Sequence, residues 1–290
     1  MEGGRIKNLV IVILVLLNGF LLALVGGQWA ADSHSYELAR SNAVEIIRAG
    51  GVQLDEQIVP QDTDLPVLQA RRDLNREKEL AAILLGGEVS VDALGGEVYR
   101  YQNESGWIQF HSTGEFMAEL EGRAFPLTEG AASHAGALLA GLEFDSRLLE
   151  DTVENGTGSV TLGQMLNGMP VLNCQAVLHY RDGELVSMTQ SRRVPGETVH
   201  TAGEKSLSVS TALMRMYNGL KELGDIYTRI ESITPAYTMS VSLSGPAGLA
   251  PVWHIKTDTG TYEMDIHTGQ LSRLGSAAVT AEAQTVLTEE

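Results

Sequence analysis

The chain has 290 residues and a formal net charge of −17, so it lacks the basic surface that a nucleic-acid binder needs. Hydrophobic residues make up 43% of it, enough to fill the core of one large or two modest domains, which excludes a disordered acidic chain. The single cysteine, Cys174, excludes an intramolecular disulfide and any cysteine-based metal cluster.

The N-terminal region contains a predicted transmembrane helix at residues 9–27. This apolar stretch would form about 28 Å of helix, close to the thickness of the hydrocarbon layer of a membrane. Arg5 and Lys7 precede it, and the next basic residue is Arg40. This charge asymmetry predicts a cytoplasmic N-terminus at residues 1–8 and an extracytoplasmic remainder.

A cleaved signal peptide is the alternative interpretation of this segment. Its apolar part would be long for that role, and cleavage after Ala30 or Ala31 would place Gln28 or Trp29 where a small residue is needed. The pattern therefore favours an uncleaved membrane anchor. Within it, Asn18 is either a helix–helix hydrogen-bonding group or a single tolerated amide.

The first predicted elements after the anchor are helical. Residues 36–51 have an apolar stripe and end in two glycines, which predicts a helix. Residues 53–66 are predicted to be extended or looping, and residues 68–85 to be partly helical. The predicted stripe of the first helix consists of Leu38, Ala39, Ala43, Ile46 and Ile47.

A hairpin pattern occurs twice, at residues 98–116 and 252–271. In each copy a strand opens on valine and an aromatic residue, and a polar turn reaches a glycine eight residues later, Gly106 or Gly260. Apolar residues alternate with polar ones along the second strand, which is typical of a sheet with one wet face. Glycine in the turn predicts a positive φ there.

A third hairpin is predicted at residues 172–193, with a turn at Asp182–Gly183. Helices are predicted at residues 131–150 and 205–223, on either side of this hairpin. Residues 226–243 are predicted to form strand structure interrupted at Pro235. The last residues, 275–290, have little apolar bulk and no hairpin pattern, and we expect a disordered acidic tail.

These elements predict an α+β fold in which a single N-terminal transmembrane helix precedes repeated units of a helix and antiparallel β-hairpins. We expect these units to form an extracytoplasmic domain with one subdomain at residues 28–130 and a second at residues 131–274. Residues 1–31 carry a charge of +1, so nearly all of the acidity belongs to the part outside the membrane. An anionic cell envelope would repel that part, and we expect the membrane helix to hold the protein in place.

The order of these features resembles the YycI-like family, and more broadly the YycH/YycI-type two-component-system regulatory proteins of Gram-positive bacteria. The resemblance runs from the anchor start at Arg5–Lys7, through Leu84–Gly86 before a hairpin, to the strand Pro251–Ile255 and its turn at Asp258–Gly260. The last hairpin also looks like a PepSY-type unit. None of these motifs is catalytic, so the likeness rests on arrangement and length.

The resemblance implies a membrane-anchored extracytoplasmic protein that binds a sensor histidine kinase and a YycH-like co-regulator. It implies that the protein modulates a kinase that controls cell-wall metabolism, and the expected effect is to restrain that kinase. The contacts would involve the membrane helix and the ectodomain. The acidic ectodomain departs from the family pattern, which leaves the partner kinase unidentified.

The sequence shows no catalytic, cofactor or metal motif, so we predict a protein that is not an enzyme, with no catalytic, cofactor-binding or metal-binding residues. No two histidines are spaced as a zinc pair, and neither a nucleophile elbow nor a phosphate loop is present. The glycine-rich segment Gly156–Thr161 is expected to be a loop. Cys174 lies on the alternating side of a predicted strand, where a buried small residue is expected.

One acid–base cluster remains open on the last hairpin. It would consist of His254, His267, Asp258 and Asp265, although exposed strand and turn residues explain the same pattern more simply. The two alternatives to kinase regulation are therefore a PepSY-type inhibitor or chaperone of a secreted protease, and an uncharacterised extracytoplasmic hydrolase. The genes that flank this one would discriminate, because a protease or a histidine kinase would be found there.

Overall fold

A computed structural model describes most of the chain between the predicted anchor and the predicted tail. The predicted transmembrane helix at 9–27 and the predicted tail at 275–290 lie outside the described residues. Within the described part, no helix combines the length and the apolar character that crossing a membrane requires. The described ranges are 35–61, 65–128, 130–201, 205–241 and 245–274.

The described residues contain four α-helices with recognisable ends. Asp73 caps the second helix by accepting hydrogen bonds from the backbone N–H groups of Asn75 and Arg76, and Ser208 caps the fourth. Gly86, with φ 71°, ends the second helix in the left-handed conformation that glycine adopts without strain. The helices are α1 (35–49), α2 (Leu74–Leu85), α3 (Ala131–Gly141) and α4 (Val209–Glu222), with 3₁₀ turns at Glu56–Ile58 and Gly122–Ala124.

Fourteen strands form one large sheet that is antiparallel at all but one of its pairings among the described residues. Its main path runs in the order β10, β1, β12, β11, β8, β9, β5, β4, β3, β2, with β6–β7 attached to β8 and β13–β14 attached to β12. The strands are β1 (Leu68–Ala70), β2 (Ser90–Gly95), β3 (Val98–Asn103), β4 (Gly106–His111), β5 (Glu115–Leu120), β6 (Ser146–Asp151), β7 (Gly158–Leu166), β8 (Met169–Arg181), β9 (Glu184–Arg192), β10 (Thr198–His200), β11 (Ile230–Ser240), β12 (Ala247–Thr257), β13 (Thr261–Asp265) and β14 (Leu271–Arg273).

The element order repeats. The helix α2 is followed by the antiparallel strands β2–β5, α3 by β6–β9 and then the short strand β10, and α4 by β11–β14. This confirms an α+β fold with a large, mostly antiparallel sheet, in which helices alternate with hairpins. Sequential hairpins explain the arrangement, because within each of the groups β2–β5, β6–β9 and β11–β14 a strand pairs with its neighbour in the chain.

Two hydrophobic cores lie under the helices. Core 1 is formed by α2 and α3 against β3–β5 and β7–β9, and core 2 by α1 and α4 against β11–β13. In core 1 the rings of Tyr101, Phe110, Phe116 and Phe144 form a chain with successive centroid distances of 6.0, 6.2 and 6.4 Å. Core 1 includes Tyr101, Ile108, Phe110, Phe116, Leu139 and Phe144, and core 2 includes Ile47, Leu213, Met216, Trp253, Ile255 and Tyr262.

The two halves of the sheet meet at β8 and β11. These strands are joined by a single parallel bridge between Val171 and Tyr237. Next to this bridge, the side chain of Asn173 on β8 makes the hydrogen bonds to β11. Its amide donates to the carbonyl of Met239 at 2.7 Å and accepts from the N–H of Met239 at 2.9 Å. A small junction cluster is buried here, consisting of Leu68, Ala70, Val171, Cys174, Val194, Tyr237, Met239, Ala247 and Leu249.

All three predicted hairpins are present, as β3–β4, β8–β9 and β12–β13. Gly106 has the predicted positive φ, 132°. The prediction is wrong at Gly260, which is outside the left-handed region. There the Thr257 hydroxyl accepts from the N–H of Gly260 at 3.1 Å, so a side chain stabilises the turn without a left-handed residue.

The predicted helix 131–150 is wrong in its second half. The helix α3 ends at Gly141, Glu143 adopts a φ of 55°, and the chain continues as the strand β6. Leu149, the leucine of β6 that fits the helical spacing, is half exposed. The glycines of α3 weakened the helix, and strand pairing with β7 determined what followed.

Three further predictions change in detail. Within the predicted strand region 226–243, β11 continues through Pro235 from Ile230 to Ser240, and Pro235 pairs with Trp253. Proline is tolerated there because, among the described residues, β11 has a registered partner at that position on one side only. Residues 68–70 are a strand, so the predicted partly helical segment begins its helix at Leu74. Gly158–Thr161, expected to be loop, begins β7.

The helices predicted at 36–51 and 205–223 are confirmed as α1 and α4. The stripe on α1 is partly wrong, because Ala43 and Ile47 are buried whereas Leu38 and Ile46 are half exposed. Core 1 contains residues from both sides of position 130, and the predicted division into subdomains there stays a prediction.

Candidate functional site

A large cleft lies next to the junction of the two sheet halves. It has a volume of about 1480 Å³. Five separate segments line it: the β1–α2 connection with the start of α2, the end of β4, residues 143–145, the β7–β8 turn, and residues 193–199. We refer to this concavity as the junction cleft.

Arg193 is the buried charge of the junction cleft, with 8% of its surface exposed. Its guanidinium donates to the carbonyl of Leu142 at 3.0 Å and to that of Val194 at 3.3 Å. Leu142 is the C-cap of α3, where a cation interacts favourably with the helix dipole. Burial lowers the pKa of Arg193, while the carboxylates of Glu143 and Glu77 act in the opposite direction.

The backbone around Arg193 is held in place. Its N–H donates to the carbonyl of Gly114 at 2.9 Å, and the N–H of Val194 donates to the buried side chain of Gln164 at 2.8 Å. A Cβ on Gly196 would lie 2.0 Å from the carbonyl oxygen of Arg71, so this segment packs directly against the β1–α2 connection. The cleft wall is therefore fixed by backbone contacts.

Two of the other arginines in the cleft are paired with carboxylates. Arg72 binds Glu77 through two nitrogens at 2.6 and 2.9 Å, and it also lies 5.2 Å from the centre of the Tyr99 ring. Both side chains of the Arg72–Glu77 pair are nearly buried, with 12% and 9% exposed. Arg76 forms ion pairs with Glu79 and Glu143, and the hydrogen bond from Arg76 lowers the pKa of Glu143.

The remainder of the cleft lining mixes charged and apolar groups. Asp145 and Glu197 line the cleft and form no ion pair with another described residue. Leu74 and Val199 present apolar surface, with 40% and 56% exposed. This combination is suited to binding a ligand that carries amide, charged and apolar groups together.

Cys174 is placed as the sequence indicated, in a buried position. It is 1% exposed in the junction cluster, with its Sγ 3.9 Å from the Sδ of Met239. Burial raises the pKa of the thiol to about 12. A thiol in this setting is a small packing group and a poor nucleophile.

In the described structure, no side chain of the open acid–base cluster is hydrogen-bonded to another side chain of that cluster. Asp258 accepts from the hydroxyl of Thr228 at 2.6 Å and from nearby backbone N–H groups, which lowers its pKa. Asp265 accepts from the N–H of His267 at 2.8 Å. Both carboxylates therefore stabilise turns.

His254 lies on β12 opposite Glu263 and is half-buried. Burial lowers its pKa, nearby Arg147 lowers it further, and Glu263 raises it. The carboxylate of Glu263 is engaged by the hydroxyls of Thr238 at 2.7 Å and Ser272 at 3.2 Å. Across the described ranges, no three histidine, cysteine or acidic residues lie close enough together to hold a metal ion.

Sequence reasoning missed the junction cleft, although some local patterns pointed towards its parts. Arginine occurs as adjacent pairs at Arg71–Arg72 and Arg192–Arg193 in a chain that is otherwise acidic. Asn–Gly at 167–168, with φ values of 51° and 79°, forms the tight β7–β8 turn on the cleft rim and is a strong hairpin pattern. No sequence pattern indicated that these segments meet.

The middle hairpins match a known family model. Residues 149–191 match the Fungalysin/Thermolysin Propeptide Motif, which covers the end of β6 and the strands β7, β8 and nearly all of β9. Turns at 155–156, 167–168 and 182–183 each place an Asn or Asp and a glycine at positive φ, so the matched segment is a four-stranded meander. The match falls on the third predicted hairpin, whereas the PepSY resemblance was noted on the last one.

Comparison with whole proteins adds less. No curated protein sequence matches the chain. An uncharacterized protein from Eubacterium rectale is similar in structure at 13% identity, with a TM-score of 0.44, over 73% of this chain and 86% of the other. The Bacillus megaterium YpeB C-terminal domain is similar at 11% identity, with a TM-score of 0.37, over 70% and 99%. Both TM-scores are below 0.5, so neither likeness supports a functional argument; the chain resembles the propeptide motif over residues 149–191.

Proposed function

We propose that this protein is a non-catalytic extracytoplasmic binding protein of the PepSY type, which inhibits or chaperones a secreted protease. The observation that supports it is the match of residues 149–191 to a motif of protease propeptides. The proposal places the protein at the membrane through the predicted helix at 9–27. It assigns the binding surface to the part of the sheet that contains the matched meander.

The mechanism we propose is stabilisation of one state of the partner. A protein that binds the folded or inactive form of a protease shifts its population by the difference in affinity between the two forms. The meander suits this role because β7–β9 are held between core 1 and neighbouring strands, which keeps the backbone preorganised for binding. The Asn–Gly turn at 167–168 connects β7 and β8, and its Asn167 lines the junction cleft, so the meander borders that cleft.

The test is capture of the partner followed by a functional assay. The tagged full-length chain is expressed in its own host, and the captured proteins are identified by mass spectrometry. We expect a secreted peptidase, whose hydrolysis of casein decreases when the purified chain is added or whose refolding yield rises in its presence. A captured peptidase that is unaffected in both assays would contradict the proposal.

Regulation of a sensor histidine kinase is the second candidate. The apolar segment Leu9–Val25 supports it, because a membrane helix could contact the membrane helices of a kinase. Its partners would be the kinase and a YycH-like co-regulator, and cell-wall metabolism would be the controlled process. Capture of a kinase whose autophosphorylation falls when the chain is co-reconstituted would favour it, and replacement of residues 9–27 by an unrelated membrane helix tests whether that segment makes the contact.

A further inference from the structure

The guanidinium of Arg193 is incompletely paired for a buried charge. Its Nε and one Nη nitrogen bind backbone carbonyls, whereas its second Nη nitrogen has no acceptor among the described residues. Arginine keeps its charge at any physiological pH, and a buried charge without a counter-ion is unfavourable. Arg193 lines the junction cleft, and its second Nη nitrogen is not among the fully enclosed unpaired polar atoms, so this nitrogen is available to a ligand.

The neighbouring carboxylates are already occupied. Glu77 receives both of its hydrogen bonds from Arg72, and Glu143 is paired with Arg76. A ligand carboxylate would therefore meet an arginine that has no ion pair of its own. Carboxylates bind guanidinium groups through paired N–H donors, which makes them the matching ligand chemistry.

The rest of the cleft argues against a small anion or a polyphosphate. Asp145 and Glu197 line the same space and would repel a multiply charged anion, whereas they can accept hydrogen bonds from backbone amides. The volume of about 1480 Å³ exceeds that of most drug-sized pockets, which is room for an extended peptide. Gln69 and Val199 are paired in register, so they face the same side of the sheet and form part of the cleft floor.

We propose that the junction cleft binds an extended peptide segment of a partner protein and that Arg193 pairs with a carboxylate of that segment. Val199 and Leu74 contact its apolar side chains, and Asp145 and Glu197 accept from its amide groups. The carboxylate is either the C-terminus of the segment or an aspartate or glutamate side chain. This inference rests on the proposed function, because it names the kind of group by which a protein partner is held.

The experiment uses three pools of random hexapeptides and the full-length chain in detergent micelles. One pool has free C-termini and lacks Asp and Glu, the second has the same composition with amidated C-termini, and the third is amidated and contains Asp and Glu. Retained peptides are quantified by ultrafiltration and mass spectrometry. We expect the first or the third pool to be retained at least tenfold better than the second, and the better pool identifies the source of the carboxylate.

Two variants link binding to the cleft. Arg193→Gln is expected to reduce retention of the preferred pool to that of the amidated, acid-free pool. Val199→Asp, at a position 56% exposed, serves as a second variant that leaves the buried arginine intact, and we expect at least a tenfold loss from charge repulsion. Ile226→Asp, 86% exposed and outside the cleft, is the matched control and is expected to retain binding.

Three outcomes would overturn the inference: equal retention of all three pools, no retention of any pool, or unchanged retention in folded Val199→Asp. Far-UV circular dichroism establishes whether each variant is folded. The proposed function is assayed separately with the captured peptidase. If the peptidase is inhibited but the peptide pools show no carboxylate preference, the proposed function stands and this inference is wrong. If the pools show the preference but the captured peptidase is unaffected in both assays, the cleft binds peptides and the proposed function is wrong.

Discussion

The two hydrophobic cores and the junction between them are built on different principles. Each core is formed by helices packed on strands, and it is lined by apolar side chains such as Ile108 and Ile255, both 0% exposed. The junction brings together five distant segments and contains the buried Arg193 and the nearly buried Arg72–Glu77 pair. The buried charged side chains are thus concentrated where the two halves of the sheet meet.

This difference indicates a division of roles. Apolar burial stabilises each half without requiring a particular direction of contact, whereas buried ion pairs and hydrogen bonds are favourable in few geometries. We infer that the cores supply most of the stability and that the junction specifies how the halves fit together. The following predictions test that comparison, from the largest expected effect to the smallest.

Truncation in either core should be the most destabilising change. Ile108→Ala in core 1 and Ile255→Ala in core 2 each leave a cavity at a fully buried position, and we expect a loss of about 2–5 kcal/mol in the free energy of unfolding. Urea unfolding followed by far-UV circular dichroism measures it. The control Ile226→Ala, at a residue 86% exposed, should change stability by less than about 0.5 kcal/mol. A loss below about 1 kcal/mol in either core would contradict the comparison.

Breaking the nearly buried ion pair should cost almost as much as a core truncation. Glu77→Gln removes the close carboxylate of Arg72 and leaves it only the exposed Glu97 at 3.9 Å, so we expect a loss of about 3 kcal/mol by the same measurement. The matched control is Lys256→Met, which breaks the exposed Lys256–Glu231 pair and should cost at most about 1 kcal/mol. Equal effects of the two substitutions would show that the junction charges have no special role in stability.

The bridge between the halves should contribute less. Asn173→Ala removes both hydrogen bonds to Met239 and leaves its backbone groups unpaired, so we expect a loss of about 1–3 kcal/mol. Gln175→Ala on the same strand is the control, because no described residue hydrogen-bonds to that side chain. Comparable losses in the two variants would remove the special role of Asn173.

Relief of backbone strain in β9 should give the smallest effect, and a stabilising one. Gln190 adopts a φ of 48° at a bulge where β9 pairs with β8 and β5. Glycine tolerates this conformation but loses more entropy on folding, so we expect Gln190→Gly to gain about 0.5 kcal/mol net. The midpoint of thermal unfolding measures it. Gln190→Ala keeps the strain and should show no gain; a gain in that variant would contradict this explanation.

The sequence predicted local structure well where a short-range cause determined it. The helix α4 follows from regularly spaced apolar residues, the Ser208 cap and the stop at Gly224. The β8–β9 hairpin follows from Asp182–Gly183. Failures came where strand pairing overruled local preference, as in β6, which was predicted to be helical, and in β11, where Pro235 was expected to interrupt a strand.

The candidate site was less predictable than the fold. The sequence correctly indicated that Cys174 is buried, and it left open a cluster on the last hairpin whose carboxylates instead stabilise turns. It did not indicate the junction cleft, since Arg72, Glu143 and Arg193 are far apart in the chain. Periodicity indicates which side of a single strand or helix is buried, and it contains no information on which distant segments line the same cleft.

By itself, the sequence determined the α+β class, the alternation of helices with hairpins and the burial of the single cysteine, because these depend on spacing and turn chemistry within about twenty residues. The tertiary structure decided the union of the halves through β8 and β11, the pairing of Arg72 with Glu77 and the position of Arg193 in the lining of a cleft. These features depend on contacts between segments that lie far apart in the chain, and the energy of a buried charge depends on the partners that folding brings to it.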